Sequence, residues 1–100
     1  MPRDKAYLVI VQVAGKTRGF LEESYEETKE LTESAGGIVV GVSRAHVPHP
    51  SPSHFIREGK LQEVMIEAQK AGANCLLFNV DLSPVQARNI EKTVKIPAIE

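Results

Sequence analysis

Three short apolar runs decide what this chain can fold into: residues 7–13 (YLVIVQV), 38–42 (IVVGV) and 75–80 (CLLFNV). Each is nearly continuous and rich in β-branched or large aliphatic residues, the pattern of a strand buried on both faces. Between and after them the apolar residues change period. Leu21, Tyr25, Thr28, Leu31 and Ala35, then Leu61, Val64, Met65 and Ala68, then Ala87, Ile90 and Val94 recur at helical spacing. A β-like tail over 95–99 reads as a fourth strand. The order βαβαβα(β) predicts an α/β fold with a small parallel three- to four-stranded sheet, joined by right-handed crossovers and covered by helices.

Local signals place the joints. Ser24 and Glu27 form an S-x-x-E pair, a capping box that predicts the first helix start, and Gly36-Gly37 supplies its stop. Pro48, Pro50 and Pro52 predict a long extended loop over 43–59. Gly72 closes the second helix. The third has the clearest start: Ser83 at the N-cap, Pro84 at the first helical position and Gln86 completing S-x-x-Q.

Composition narrows the function classes. One hundred residues make one domain with one core. No apolar run approaches the ~18 residues of a membrane span, and MPRDKAYLV lacks a secretory h-region. A single cysteine excludes an internal disulfide framework, so a reducing, cytoplasmic setting is expected. The net charge of −1 gives no global pull toward nucleic acid, so any RNA contact must come from a local patch.

Several residues invite chemical readings. Gly15-Lys16-Thr17 after a strand resembles the end of a P-loop, but the motif needs a Gly five residues before Gly15, where Ile10 stands in mid-strand. The cap expected at Ser24 also puts the helix too far off to face a phosphate, and no D-x-x-G or N-K-x-D follows; GKT reads as surface loop. His46, His49 and His54 share the Pro-rich segment at a spacing that matches no common zinc site, and solvated histidines are expected. Ser83 reads as a cap rather than a nucleophile, and Cys75 as buried. The acidic stretch EESYEETKE reads as a solvated helix face. More specific is HFIREGKLQEV. There Gly59 and Lys60 open a helix, and with Arg57 they could hold a phosphate; the plain alternative is that Gly59 caps and Lys60 is solvated.

Two segments go further. PHPSPSHFIREGKLQEV (48–64) resembles the P-x-P-x-T-[YF]-I-G-x-G-K-x-x-E-[LI] stretch in the N-terminal domain of HflX-type GTPases. LSPVQARNIEK (82–92) resembles that domain's L-S-P-x-Q-x-R-N-[LI]-E-K, and SYEETKELTESAGGIVVG (24–41) its S-L-E-E-L-x-E-L-A-x-T-A-G-x-x-V-V-G. The resemblance implies a small parallel α/β domain that in the family precedes a helical linker and a G domain binding GTP with Mg²⁺. It implies cytoplasmic proteins that associate with the large ribosomal subunit, and in some members ATP binding outside the G domain. No cofactor is expected within these residues, and GTP hydrolysis is not carried over.

The foremost expectation is therefore a binding and regulatory module contacting large-subunit rRNA. Its candidate contacts are Arg57, Gly59 and Lys60 at the second helix start and Arg88, Asn89 and Lys92 on the third helix, where Arg88 and Lys92 share a face. The alternative for Arg88 is an ion pair with Glu91. Arg57 stands where the family has the first Gly of I-G-x-G-K, replacing a residue free to take positive φ with bulk and charge. An ATP or GTP site at that helix start is the second reading. A homodimer formed through the incomplete sheet edge is the third.

Overall fold

The computed structural model describes residues 4–100. In chain order the elements are β1 (Lys5–Val13), α1 (Phe20–Ser34), β2 (Ile38–Val47), α2 (Glu58–Ala71), β3 (Cys75–Phe78), α3 (Pro84–Val94) and β4 (Ala98–Ile99). The four strands form one parallel sheet in the order β2-β1-β3-β4, the α/β architecture that the alternating periods predict.

The order dictates where the helices lie. The connection from β1 to β2 steps one way along the sheet; those from β2 to β3 and from β3 to β4 step the other way. With the same right-handed crossover throughout, α1 falls on one face and α2 with α3 on the other. The core divides accordingly. Val9, Val11, Leu76 and Phe78 pack with Leu61, Val64 and Ala68 of α2 and Ile90 and Val94 of α3. On the opposite face Ala6, Leu8, Ile10 and Cys75 meet Leu21 and Tyr25 of α1. β1 is central, and its residues Leu8–Val11 are wholly buried.

Four boundaries differ from expectation, each for a physical reason. The first helix starts at Phe20, not at Ser24. Its N-cap is Gly19 in the left-handed region (φ 87°), a Thr17 C=O to Phe20 N–H turn leads into it, and Ser24 lies within the second turn. The second strand runs on to Val47, because Ser43, Ala45 and Val47 alternate inward while Arg44 and His46 face out. His46 is therefore a strand residue, and the loop shortens to 48–57. β3 ends at Phe78, two residues early. The fourth strand begins at Ala98, since Lys95 caps α3 in a left-handed conformation (φ 65°) instead of extending.

The start of α3 is as expected. The Ser83 hydroxyl accepts from Gln86 N–H at 3.1 Å, and the Gln86 carboxamide oxygen accepts from Ser83 N–H at 2.8 Å.

Candidate functional site

In a parallel α/β sheet the strand C-termini and helix N-termini gather on one edge. That edge here carries the GKT loop, the start of α2 and the start of α3. Ligands of such sheets commonly sit at the crevice where the winding direction reverses, which is between β1 and β3. Asn79 closes it. Its side-chain oxygen accepts from Val11 N–H at 2.7 Å and its amide donates to Val11 C=O at 3.0 Å, prolonging the β1–β3 pairing with a side chain.

GKT lies exposed beside this edge, with the Lys16 ammonium 5.3 Å from the centre of the Phe20 ring. The helix begins closer to it than expected, but Ile10 is wholly buried within β1, so the backbone cannot turn back to ring a phosphate. These residues do not fit Mg²⁺–GTP. The histidines do not converge: His46 and His49 are exposed on β2 and in the loop after it, and His54 Nδ1 lies 3.1 Å from Ile56 C=O. No group of three metal-ligating side chains occurs among the described residues. Burial, and secondarily the charge of Asp4, pushes the Cys75 thiol above its ordinary range, away from the thiolate a nucleophile requires.

The start of α2 is more open. Arg57, not Gly59, is the N-cap; it is extended (φ −67°, ψ 153°) and makes no side-chain cap bond. Arg therefore fits here without the positive φ that a Gly would permit. Gly59 sits in the first turn, and a Cβ placed on it would meet nothing within 4 Å. Lys60 is half-buried and pairs with Glu63 at 3.3 Å.

The loop before α2 is fastened to α3. Gln86 donates its amide to Ser51 C=O at 2.8 Å, and Asn89 donates to Ser53 C=O at 3.0 Å. Ser51 and Phe55 exchange both backbone bonds, and Phe55 takes a positive φ of 63° so that Phe55 and Ile56 turn into the core. The loop then delivers Arg57 to the helix start. Asn89 thus serves the loop, a role its place in NIEK does not disclose. Glu91 does not pair with Arg88: its carboxylate accepts from Ala98 N–H at 2.7 Å. Arg57, Arg88 and Lys92 are exposed and make no ion pair among the described residues. No described helix is long and apolar enough to cross a membrane.

Known proteins resemble this chain over its length. It is 33% identical over 78 residues to GTPase HflX of Escherichia coli, covering 78% of this chain and 18% of that protein. It is 29% identical over 91 residues to GTPase HflX of Flavobacterium psychrophilum, covering 91% and 22%. To GTPase HflX of Caldanaerobacter subterraneus it is 26% identical over 100 residues, covering 100% and 23%. The chain thus spans about a fifth of the length of these relatives. The crystal structure of an SsGBP mutation variant shares the fold, with a TM-score of 0.64 and 22% identity over 95% of this chain and 29% of that one. Residues 22–100 match the protein family described as GTP-binding GTPase N-terminal. A chain with this parallel sheet and a match over most of its length belongs to that family, the N-terminal domain of HflX-type GTPases.

Proposed function

We propose that this domain is the binding and regulatory module of an HflX-type protein, contacting the rRNA of the large ribosomal subunit and influencing the G domain of such proteins. The observation that carries the reading is the grouping at α2 and α3. Arg57, Arg88 and Lys92 are exposed cations without ion-pair partners among the described residues, and Gln86 and Asn89 tie the loop ending at Arg57 to the helix that bears the other two. Lys60, held by Glu63, adds a fourth cation one turn along. Such charges suit a phosphate backbone, which is met by Lys and Arg without sequence preference.

Co-sedimentation with purified large subunits tests it. The Lys60→Ala, Arg88→Ala double variant leaves the core untouched. It is expected to pellet at least tenfold less well and to show a shallower dependence on salt, because each lost phosphate contact removes roughly 0.7–0.9 from the log–log slope. Undiminished pelleting would reject these residues as the contact.

One feature favours a second reading, a weak ATP or GTP site at the same place. The N-cap side chain leaves the first-turn N–H groups of α2 uncapped, and Gly59 leaves space above them. Titration calorimetry separates the two: saturable heat below millimolar nucleotide supports this reading, and its absence removes it.

A further inference from the structure

Two neighbouring residues of the loop before α2, Phe55 and Ile56, both bury their side chains. In an extended chain successive side chains point to opposite sides, so one of the two would face water. A sharp turn resolves the conflict. Ile56 N–H donates to His54 C=O at 2.6 Å, closing a three-residue turn around Phe55, whose φ is 63°. A γ-turn with positive φ at its centre is the rare, strained kind, and a bulky side chain suits it poorly. Among the described residues, the one other non-glycine with positive φ is Lys95, at a helix C-cap where that conformation is ordinary.

Strain of this kind persists only where the surroundings impose it. Within the loop, Ser51 and Phe55 exchange both backbone bonds at 2.9 Å, and the Ser51 hydroxyl accepts from Ser53 N–H at 3.1 Å. The other ties come from α3, from Gln86 to Ser51 C=O and from Asn89 to Ser53 C=O. Releasing them lets residue 55 relax to negative φ and withdraw its ring from the core. Charge works in the same direction as strain. Fastening the loop to α3 sets Arg57, at the α2 N-cap, on the side of the sheet that carries Arg88 and Lys92, and all three are exposed. Repulsion among them favours opening, whereas an anion spanning them binds the closed arrangement better and so favours closure. We infer that residues 51–57 form a strained latch on α3, which a polyanion bound to the cations of α2 and α3 holds shut and whose release frees Phe55 from the core and Arg57 from the helix start. The inference rests on the cationic contact proposed above and adds its regulation, since the latch makes the cations of the two helices engage as one unit.

Fluorine NMR of the chain labelled with 4-fluorophenylalanine tests the latch. Phe20, Phe55 and Phe78 give separate probes, and Phe55→Leu assigns the one in the loop. Asn89→Ala removes one tie from α3. In that variant Phe55 is expected to show a second, solvent-like signal with at least five times its population in the unaltered chain, while Phe20 and Phe78 stay unmoved. Inorganic polyphosphate should reduce that signal at least threefold, and adding Arg57→Ala and Arg88→Ala should abolish the response. A single Phe55 signal in both chains, or an open population indifferent to polyphosphate, would overturn the inference. So would parallel changes at Phe78, which would mean that the core opens as a whole. Pelleting with large subunits keeps this outcome apart from that of the rRNA contact. Pelleting lost in Lys60→Ala, Arg88→Ala beside a loop that never opens retains the contact and removes the latch. Undiminished pelleting beside a loop that polyphosphate closes does the reverse.

Discussion

Asn79 follows the last residue of β3, and its carboxamide takes the place a further strand residue would fill opposite Val11. Val11 is wholly buried, so its N–H and C=O have no recourse to water. Replacing Asn79 by Leu keeps the bulk and removes both partners. Each buried backbone group left unpaired costs roughly 1–3 kcal/mol, so Asn79→Leu is expected to lower stability in urea by about 2–4 kcal/mol. Asn79→Asp retains an acceptor for Val11 N–H but no donor, and should fall between. A loss below about 1 kcal/mol for the Leu variant would mean the pairing carries little. Nothing local in CLLFNV reveals this role. An apolar run ending in Asn-Val reads as strand, and only the neighbouring β1 shows that Asn79 has left it. Asn89 was similarly opaque, because its partner Ser53 lies in another segment.

At the level of elements, α3 and the loop over 48–57 behave as one unit joined by Gln86. One end of its carboxamide completes the capping box with Ser83, and the other holds Ser51 C=O. Gln86→Glu separates these duties: a carboxylate still accepts from Ser83 N–H and suits the helix N-terminus, but it cannot donate to Ser51. Helix content is expected to persist while the amides of Ser51 and Phe55, which close the small bridge in the loop, exchange about tenfold faster by NMR. That follows from losing roughly 1–1.5 kcal/mol of hydrogen bonding. Unchanged exchange would show that the loop is held without Gln86. α3 was legible in the sequence because its start signal is carried by side chains three apart. The start of α1 is not legible in the same way, because it depends on a Gly in a left-handed turn, which leaves no capping side chain to find, while Ser24 offers a capping pair inside the helix. β2 looked short because the buried positions of its second half are partly filled by Ser43 and Ala45, too small or polar to register as an apolar run. Ser43 is buried with its polar group satisfied, its hydroxyl meeting the Tyr7 hydroxyl at 2.6 Å.

For the molecule as a whole, the two sides of the sheet carry different surfaces. The α2–α3 side offers the unpaired cations of the proposed rRNA contact, and the α1 side the acidic stretch EESYEETKE. The net charge of −1 conceals this division, since the two signs nearly cancel over the chain. The division could not be read from any one segment, because it arises from the directions of three crossovers. The number of strands and helices could be read, because each has its own period. The candidate cations were likewise visible, but the fastening of the loop to α3 depends on contacts between residues 35 and 36 apart.

The central position of β1 also bears on how the chain is made. β1 precedes both strands that flank it, so during translation YLVIVQV leaves the ribosome before either can pair with it. A heptamer this apolar and β-prone is a segment by which nascent copies can stack on one another. Asp4 and Lys5 stand before it, and Lys16 and Arg18 follow soon after, the charged gatekeepers that oppose such stacking until residues 38–47 have been added and folded back.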